Sequence, residues 1–227
     1  MLDALYLPRP DENGIIPQFD GYFSLKHIDL APYRNAGSVG SIYNDYNQDQ
    51  ICTFQVHKQA DTVALLTLLN DLYPDAIRKA NYDYYEARTL HDSSLSRSSH
   101  CVMAASMGET ETAYRFFEGC NGIDLGPNMM TSDAGIHAAS MGGIWQCAVC
   151  GFGGIQVTGE ELHIDPRLPE AWHSLVYPLT WRGQPLRITV AKESVSVKNE
   201  GTLAITAMVR GERVRIPAGE AFVCRCR

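Results

Sequence analysis

Between two helical patterns the chain runs Tyr84-Tyr85-Glu86-Ala87-Arg88-Thr89-Leu90-His91-Asp92-Ser93-Ser94-Leu95-Ser96, and this stretch gathers most of the side chains suited to chemistry. Glu86 can accept hydrogen bonds from hydroxyls. Ser93 and Ser94 stand where a helix is expected to begin, and unpaired N–H groups at such a place, aided by the helix dipole, favour an anion. A plainer reading is that one of these serines caps the helix, since Ser is a preferred N-cap. The two roles are compatible. His91 and Asp92 are read as braces of the loop, and no nucleophile-elbow pattern supports a Ser-His-Asp triad. Upstream lies Gln55-Val56-His57-Lys58-Gln59-Ala60-Asp61, and downstream Ser132-Asp133-Ala134-Gly135-Ile136-His137-Ala138. Lys58 and Gln59 are hydrogen-bonding groups in an apolar setting, although such a Lys often only reaches solvent along its flexible stem. Gly135 before His137 permits close backbone approach beside a histidine at a second helix start.

These residues need helices to hold them. Apolar residues recur from Val56 to Leu69 without Pro or Gly, which predicts a largely buried helix over Phe54–Leu69 with Lys58 and Gln59 in its first turns. A second helix is expected from Pro74, suited to a first helical position, to about Ala87. A third should start among Ser93–Ser98 and end near Gly108, a fourth should occupy roughly Glu109–Cys120, and a fifth about Ile136–Cys150. After Gly153-Gly154 the period changes to two: Ile155–Val157, Leu162–Ile164, Leu186–Val190, Ser194–Val197, Leu203–Ile205 and Phe222–Cys224 read as antiparallel strands. The charge balance shifts at the same place. Residues 1–155 hold 9 basic and 18 acidic side chains, residues 156–227 hold 10 and 8. Two domains are therefore expected, 1–154 and 155–227.

A net charge of −7 and the lack of a basic stripe argue against nucleic acid as a partner. No apolar segment approaches bilayer length, and a cytoplasmic location is expected. The seven cysteines are odd in number and scattered, which points to reduced thiols. Zinc would require Cys147/Cys150 and Cys224/Cys226 to converge in one closed site. No metal or other cofactor is expected.

The three segments, together with Gly151-Phe152-Gly153-Gly154, resemble family 65 of the glycoside hydrolases, the maltose, trehalose and kojibiose phosphorylases, from about Ile16 onward. The resemblance implies an (α/α)6 barrel followed by a small antiparallel β-sandwich. With helices averaging roughly 11–12 residues, the chain has room for only part of a twelve-helix barrel. Half of it is expected, with the sandwich. By the same resemblance Lys58 and Gln59 bind the glucosyl unit in the donor subsite, Glu86 faces the acceptor subsite, and His137 contacts phosphate alongside Ser93 and Ser94.

The activity implied is phosphorolysis of an α-glucoside to β-glucose 1-phosphate and free sugar. An inverting glycosidase uses one carboxyl as acid and another to activate water. Phosphate is already an anionic nucleophile, so holding groups can replace the second carboxylate. The family's general acid, a Glu, and its Trp-Asp sugar grip have no counterpart here and are expected upstream of Met1. No catalytic residue is therefore assigned in this chain. The partners implied are a disaccharide and inorganic phosphate, with self-association or the missing N-terminal half covering exposed helix faces. The alternatives are a family hydrolase of the trehalase or kojibiose glucosidase kind and a non-catalytic sugar-binding remnant.

Overall fold

The backbone hydrogen bonds of Gln55 and His57 decide where the first substantial helix begins. Gln55 N–H donates to Lys26 C=O at 2.8 Å, His57 N–H to Arg88 C=O at 2.8 Å, and Leu90 N–H to His57 C=O at 2.9 Å. These groups are paired with residues some thirty positions away and are unavailable to an i−4 ladder. In the computed structural model, which describes residues 9–34, 39–125 and 135–225, helix α3 therefore spans only Asp61–Leu68. The expected start at Phe54 is corrected, and Lys58 and Gln59 lie in the bend that precedes the helix.

Two single-turn helices come first, α1 (Ala31–Arg34) and α2 (Gln48–Ile51), the second closed by a capping box between Asn47 and Gln50. After α3 come α4 (Asp75–Glu86), α5 (Ser96–Ser106), α6 (Thr110–Leu125) and α7 (Ala138–Gln146), then a π-helical segment Cys147–Phe152. Pro74 sits just outside α4, its extended ψ of 151° placing it at the N-cap. Helix α6 continues five residues past the expected end at Cys120. Helix α5 is the central element: His100, Cys101, Met103, Ala104 and Ala105 are all buried, and it packs against α3, α6, α7 and the π-helical segment.

From Ile155 the chain forms two four-stranded sheets. One has the order β1 (Ile155–Thr158), β2 (Glu161–Ile164), β6 (Ile205–Val209), β7 (Glu212–Ile216); the other runs β3 (Ser174–Trp181), β4 (Gln184–Ala191), β5 (Ser194–Asn199), β8 (Ala221–Arg225). Strands β3 and β7 were not anticipated. Pro178 interrupts the strand signal in β3, and Glu212, Arg213 and Arg215 dilute it in β7. Most pairs are antiparallel, but β2 runs parallel to β6 through His163↔Met208 and Ile164↔Val209. Alternation buries Leu186, Ile188 and Val190 of β4 and Val195 and Val197 of β5 between the sheets, with Leu162, Ile164, Val209 and Ile216 opposite. Leu203 stays outside a strand and is exposed.

Helices and sandwich share side chains. Val149 of the π-helical segment belongs to the sandwich core, Tyr177 O–H donates to Gly153 C=O at 2.9 Å, and Phe117, Phe152 and Trp172 meet edge to face. Exposed apolar side chains on the helical part include Leu68, Leu72, Leu125, Ile136 and Trp145. No helix among the described residues is long and apolar enough to cross a membrane. The described cysteines are free, with Cys147 and Cys150 in the π-helical segment and Cys224 on β8. Cys226 and the Ser132-Asp133-Ala134 part of the third segment lie outside the described residues.

Candidate functional site

The parallel bridge between His57 and Thr89 lays the Lys58-Gln59 bend beside the loop after α4. Ser93 O–H donates to Gln59 Oε1 at 2.8 Å, joining two segments 34 residues apart. The same hydroxyl oxygen accepts from Leu95 N–H at 3.2 Å. Ser93 therefore tightens the turn before α5 instead of capping it. The N-cap is Leu95, which has no side chain to accept from the helix, so the capping expectation is corrected. The first amides of α5 are left without a side-chain acceptor. Ser94 is half-buried in that turn. Lys58 is exposed, and with Asp92 it lines a cleft of about 520 Å³ walled by Phe19, Tyr22, Tyr43 and Phe54. One oxygen of Asp92 accepts from Gly40 N–H at 3.2 Å, and the other is buried.

Glu86 ends α4, where a carboxylate meets the unfavourable pole of the helix dipole. Three cationic or protonatable groups offset this. His91 Nε2 lies 2.9 Å from Glu86 Oε2, His100 Nε2 3.3 Å from the same oxygen, and Arg34 Nη1 3.4 Å from Oε1. A carboxylate only accepts, so His91 Nε2 carries a proton and Nδ1 faces the Ser96 hydroxyl at 3.2 Å. His100 donates Nδ1–H to Ser96 C=O at 2.9 Å, and its Nε2 has no hydrogen-bond partner. Burial holds His100 down to about 4 and keeps it neutral. Burial works to raise the pKa of Glu86, but the hydrogen bond and charge of His91, with the charge of Arg34, bring it below the ordinary carboxylate value.

The loop is held in a costly shape. His91 has φ of +57°, a left-handed conformation that costs a non-glycine residue about 1–3 kcal/mol. Its carbonyl accepts from Arg97 Nε and Nη2 at 3.2 and 3.1 Å. Glu86, His91 and His100 are also the one described group of three metal-type donors lying within 4.8 Å of one another. The Arg34 guanidinium already supplies positive charge on the other side of that carboxylate.

His137 stands at the N-cap of α7. Its backbone N–H donates to Asp124 at 3.1 and 3.3 Å, and ring Nδ1 lies 2.6 Å from Asp124 Oδ1. The hydrogen bond from His137 holds the Asp124 carboxyl below its usual value. Helix α7 packs on α5, yet no hydrogen bond or ion pair joins His137 to Ser93 or Ser94. Of the residues named from sequence, then, Gln59 and Ser93 are bonded, Lys58 lies beside them, Glu86 is linked to their loop through His91, and His137 is bound separately.

Residues that sequence reasoning passed over complete the frame. Gln55 Oε1 accepts from both Tyr84 O–H and Arg88 Nε at 2.9 Å, while Arg88 stacks 3.6 Å from the Tyr84 ring. Arg34 donates Nε–H to Thr89 C=O at 2.7 Å and also reaches Glu86 C=O. Asp124 and His100 sit inside ordinary helical patterns, and no local signal distinguishes them.

Comparison with known proteins bears on this arrangement. Residues 1–146 match the model described as the glycosyl hydrolase family 65 central catalytic domain, and residues 155–216 the family's C-terminal domain. The chain is 44% identical to a kojibiose phosphorylase of Halothermothrix orenii, over 97% of this chain and 29% of that protein. It is 38% identical to a 1,2-alpha-glucosylglycerol phosphorylase of Bacillus selenitireducens, over 94% of this chain and 29% of that one. Among solved structures, a putative kojibiose phosphorylase from the human microbiome superposes with a TM-score of 0.87 at 26% identity, covering 97% of this chain and 29% of its own. The chain thus spans under a third of the length of the relatives it matches.

Proposed function

The chain belongs to glycosyl hydrolase family 65, and we propose that it carries the sugar- and phosphate-holding part of an inverting α-glucoside phosphorylase. The reaction is disaccharide plus phosphate giving β-glucose 1-phosphate and a free sugar. Lys58 and Gln59 hold the glucosyl unit, Glu86 the acceptor sugar, and Ser93, Ser94 and His137 the phosphate. The general acid is assigned to none of the described residues.

The bond between Ser93 and Gln59 is the observation that supports this most. Inverting displacement requires the phosphate oxygen to stand about 3–3.5 Å from the anomeric carbon, so the groups holding donor sugar and phosphate must be neighbours. The carboxylates of the adjoining loop, Asp92 and Glu86, are poorly placed to activate water instead. Both oxygens of Asp92 are bonded or buried, and Glu86 is bound by His91 and Arg34. This favours phosphate over water as nucleophile. The exposed apolar side chains Leu68, Leu72, Ile136 and Trp145 support covering of the helical part by the remainder of a barrel or by a second copy.

A chimera tests the reading. This chain replaces the matching C-terminal part of the Halothermothrix orenii kojibiose phosphorylase, and phosphorolysis of kojibiose is measured against phosphate concentration. The chimera should turn over, and Ser93→Ala should raise the phosphate KM about tenfold, because the hydroxyl that ties the phosphate-holding turn to Gln59 is lost. A folded chimera whose Ser93→Ala variant keeps its phosphate dependence would refute the assignment.

A further inference from the structure

His137 is held by one acid at two points. Asp124, in the last turn of α6, takes both the backbone N–H and ring Nδ1 of His137. Two attachments fix the rotation of the ring as well as its place. The side chain of Asp124 is only 11% exposed, whereas that of His137 is 34% exposed, so the pair has a buried end and an open end. Nε2, the ring nitrogen not held by Asp124, has no hydrogen-bond partner among the described residues.

Resting on the phosphate reading above, we propose that Asp124 is a positioning residue. It commits the Nδ1 proton inward and turns Nε2 of His137 outward, toward an oxygen of the anionic substrate. The partner of one ring nitrogen sets what the other can do. With Nδ1–H given to Asp124, Nε2 accepts from a hydroxyl of monoprotonated phosphate, or donates to a phosphate oxygen when the ring carries a second proton. Without Asp124, a neutral ring is free to place its proton on Nε2 and to rotate. The carboxylate also lets α7 begin at His137, because it accepts the amide that would otherwise be unpaired at the helix start.

The test uses the full chain labelled with ¹⁵N, reading the His137 ring nitrogens by long-range ¹H–¹⁵N spectroscopy at pH 8, followed by titration with inorganic phosphate. In the unaltered protein Nδ1 should be protonated. Asp124→Ala should move the proton to Nε2 or give a mixture, and should weaken phosphate binding about tenfold, the loss of one charge-assisted contact. Asp124→Asn, which keeps an oxygen able to accept Nδ1–H, should restore most of both. Because a change in α7 packing could mimic the affinity loss, His137→Ala and the double variant are compared. Asp124→Ala should add nothing once His137 is gone. Protonation of Nε2 alone in the unaltered protein, or a ring state unmoved in Asp124→Ala, overturns the role of Asp124. Correct ring states with no phosphate binding by the unaltered chain uphold Asp124 as the residue that sets the ring and overturn the phosphate assignment.

Discussion

Acidification from pH 7 to pH 5 should loosen the helical part of this protein through His57, the residue that aligns the Lys58-Gln59 bend with the loop after α4. His57 is 5% exposed, its Nε2 lies 2.7 Å from the Tyr22 hydroxyl, and its ring contacts those of Tyr22 and Tyr85. Burial pulls its pKa from 6.5 to about 4. The folded state therefore resists a proton that the unfolded chain takes up readily. Stability from this group is present above 6.5 and is lost as pH falls toward 4. From those two values the loss is about 3 kcal/mol when fully expressed and about 2 kcal/mol by pH 5. Urea unfolding followed by helical circular dichroism at pH 7, 6 and 5 measures it, with His57→Phe as the comparison. The variant should start less stable at pH 7, having lost the Tyr22 contact, yet show a loss between pH 7 and 5 smaller by about 2 kcal/mol than the parent. Equal acid sensitivity in the two proteins, or a His57 that titrates near 6.5 by NMR, would refute the reasoning.

Three further outcomes follow from single positions. Glu86→Gln should destabilise by about 1–3 kcal/mol at neutral pH because it leaves Arg34 and His91 without their counter-charge; since the Glu86 pKa is depressed, the variant should also lose the part of acid unfolding that develops below about 4.5, read from melts at pH 3–5. Gly154→Ala should cost about 2–4 kcal/mol, because φ is +65° and a methyl group would stand 2.1 Å from the Asp165 carbonyl oxygen; Gly159→Ala, with φ of +58° and open space around it, should cost only about 1 kcal/mol, and equal urea midpoints for the pair would contradict the steric argument. Asn199→Ala should cost about 3 kcal/mol, since the fully buried amide donates to Leu203 C=O and Ile216 C=O and accepts from Gly201 N–H; hydrogen exchange should accelerate in β5 and β7 while α5 is spared.

What could be read from the sequence is what local pattern encodes. The period-3.6 and period-two stretches separate helices from strands near residue 153, and the long motifs identify the family, because both depend on residues close together in the chain. Local pattern misjudged the Phe54–Leu69 segment for the same reason. Its hydrophobicity fits a helix, but the amide and carbonyl groups around His57 bond to Arg88 and Leu90, and nothing nearby announces those partners. Strand β3 was hidden by Pro178, which its edge position tolerates. The site divides along the same line. Residue types named Lys58, Gln59, Glu86, Ser93, Ser94 and His137 as candidates. Only tertiary structure pairs Gln59 with Ser93, encloses Glu86 between Arg34 and two histidines, and ties His137 to Asp124. Hydrogen bonds between side chains depend on distance and angle in three dimensions, and residues from separate helices meet those conditions only after the apolar faces of α3 to α7 have packed.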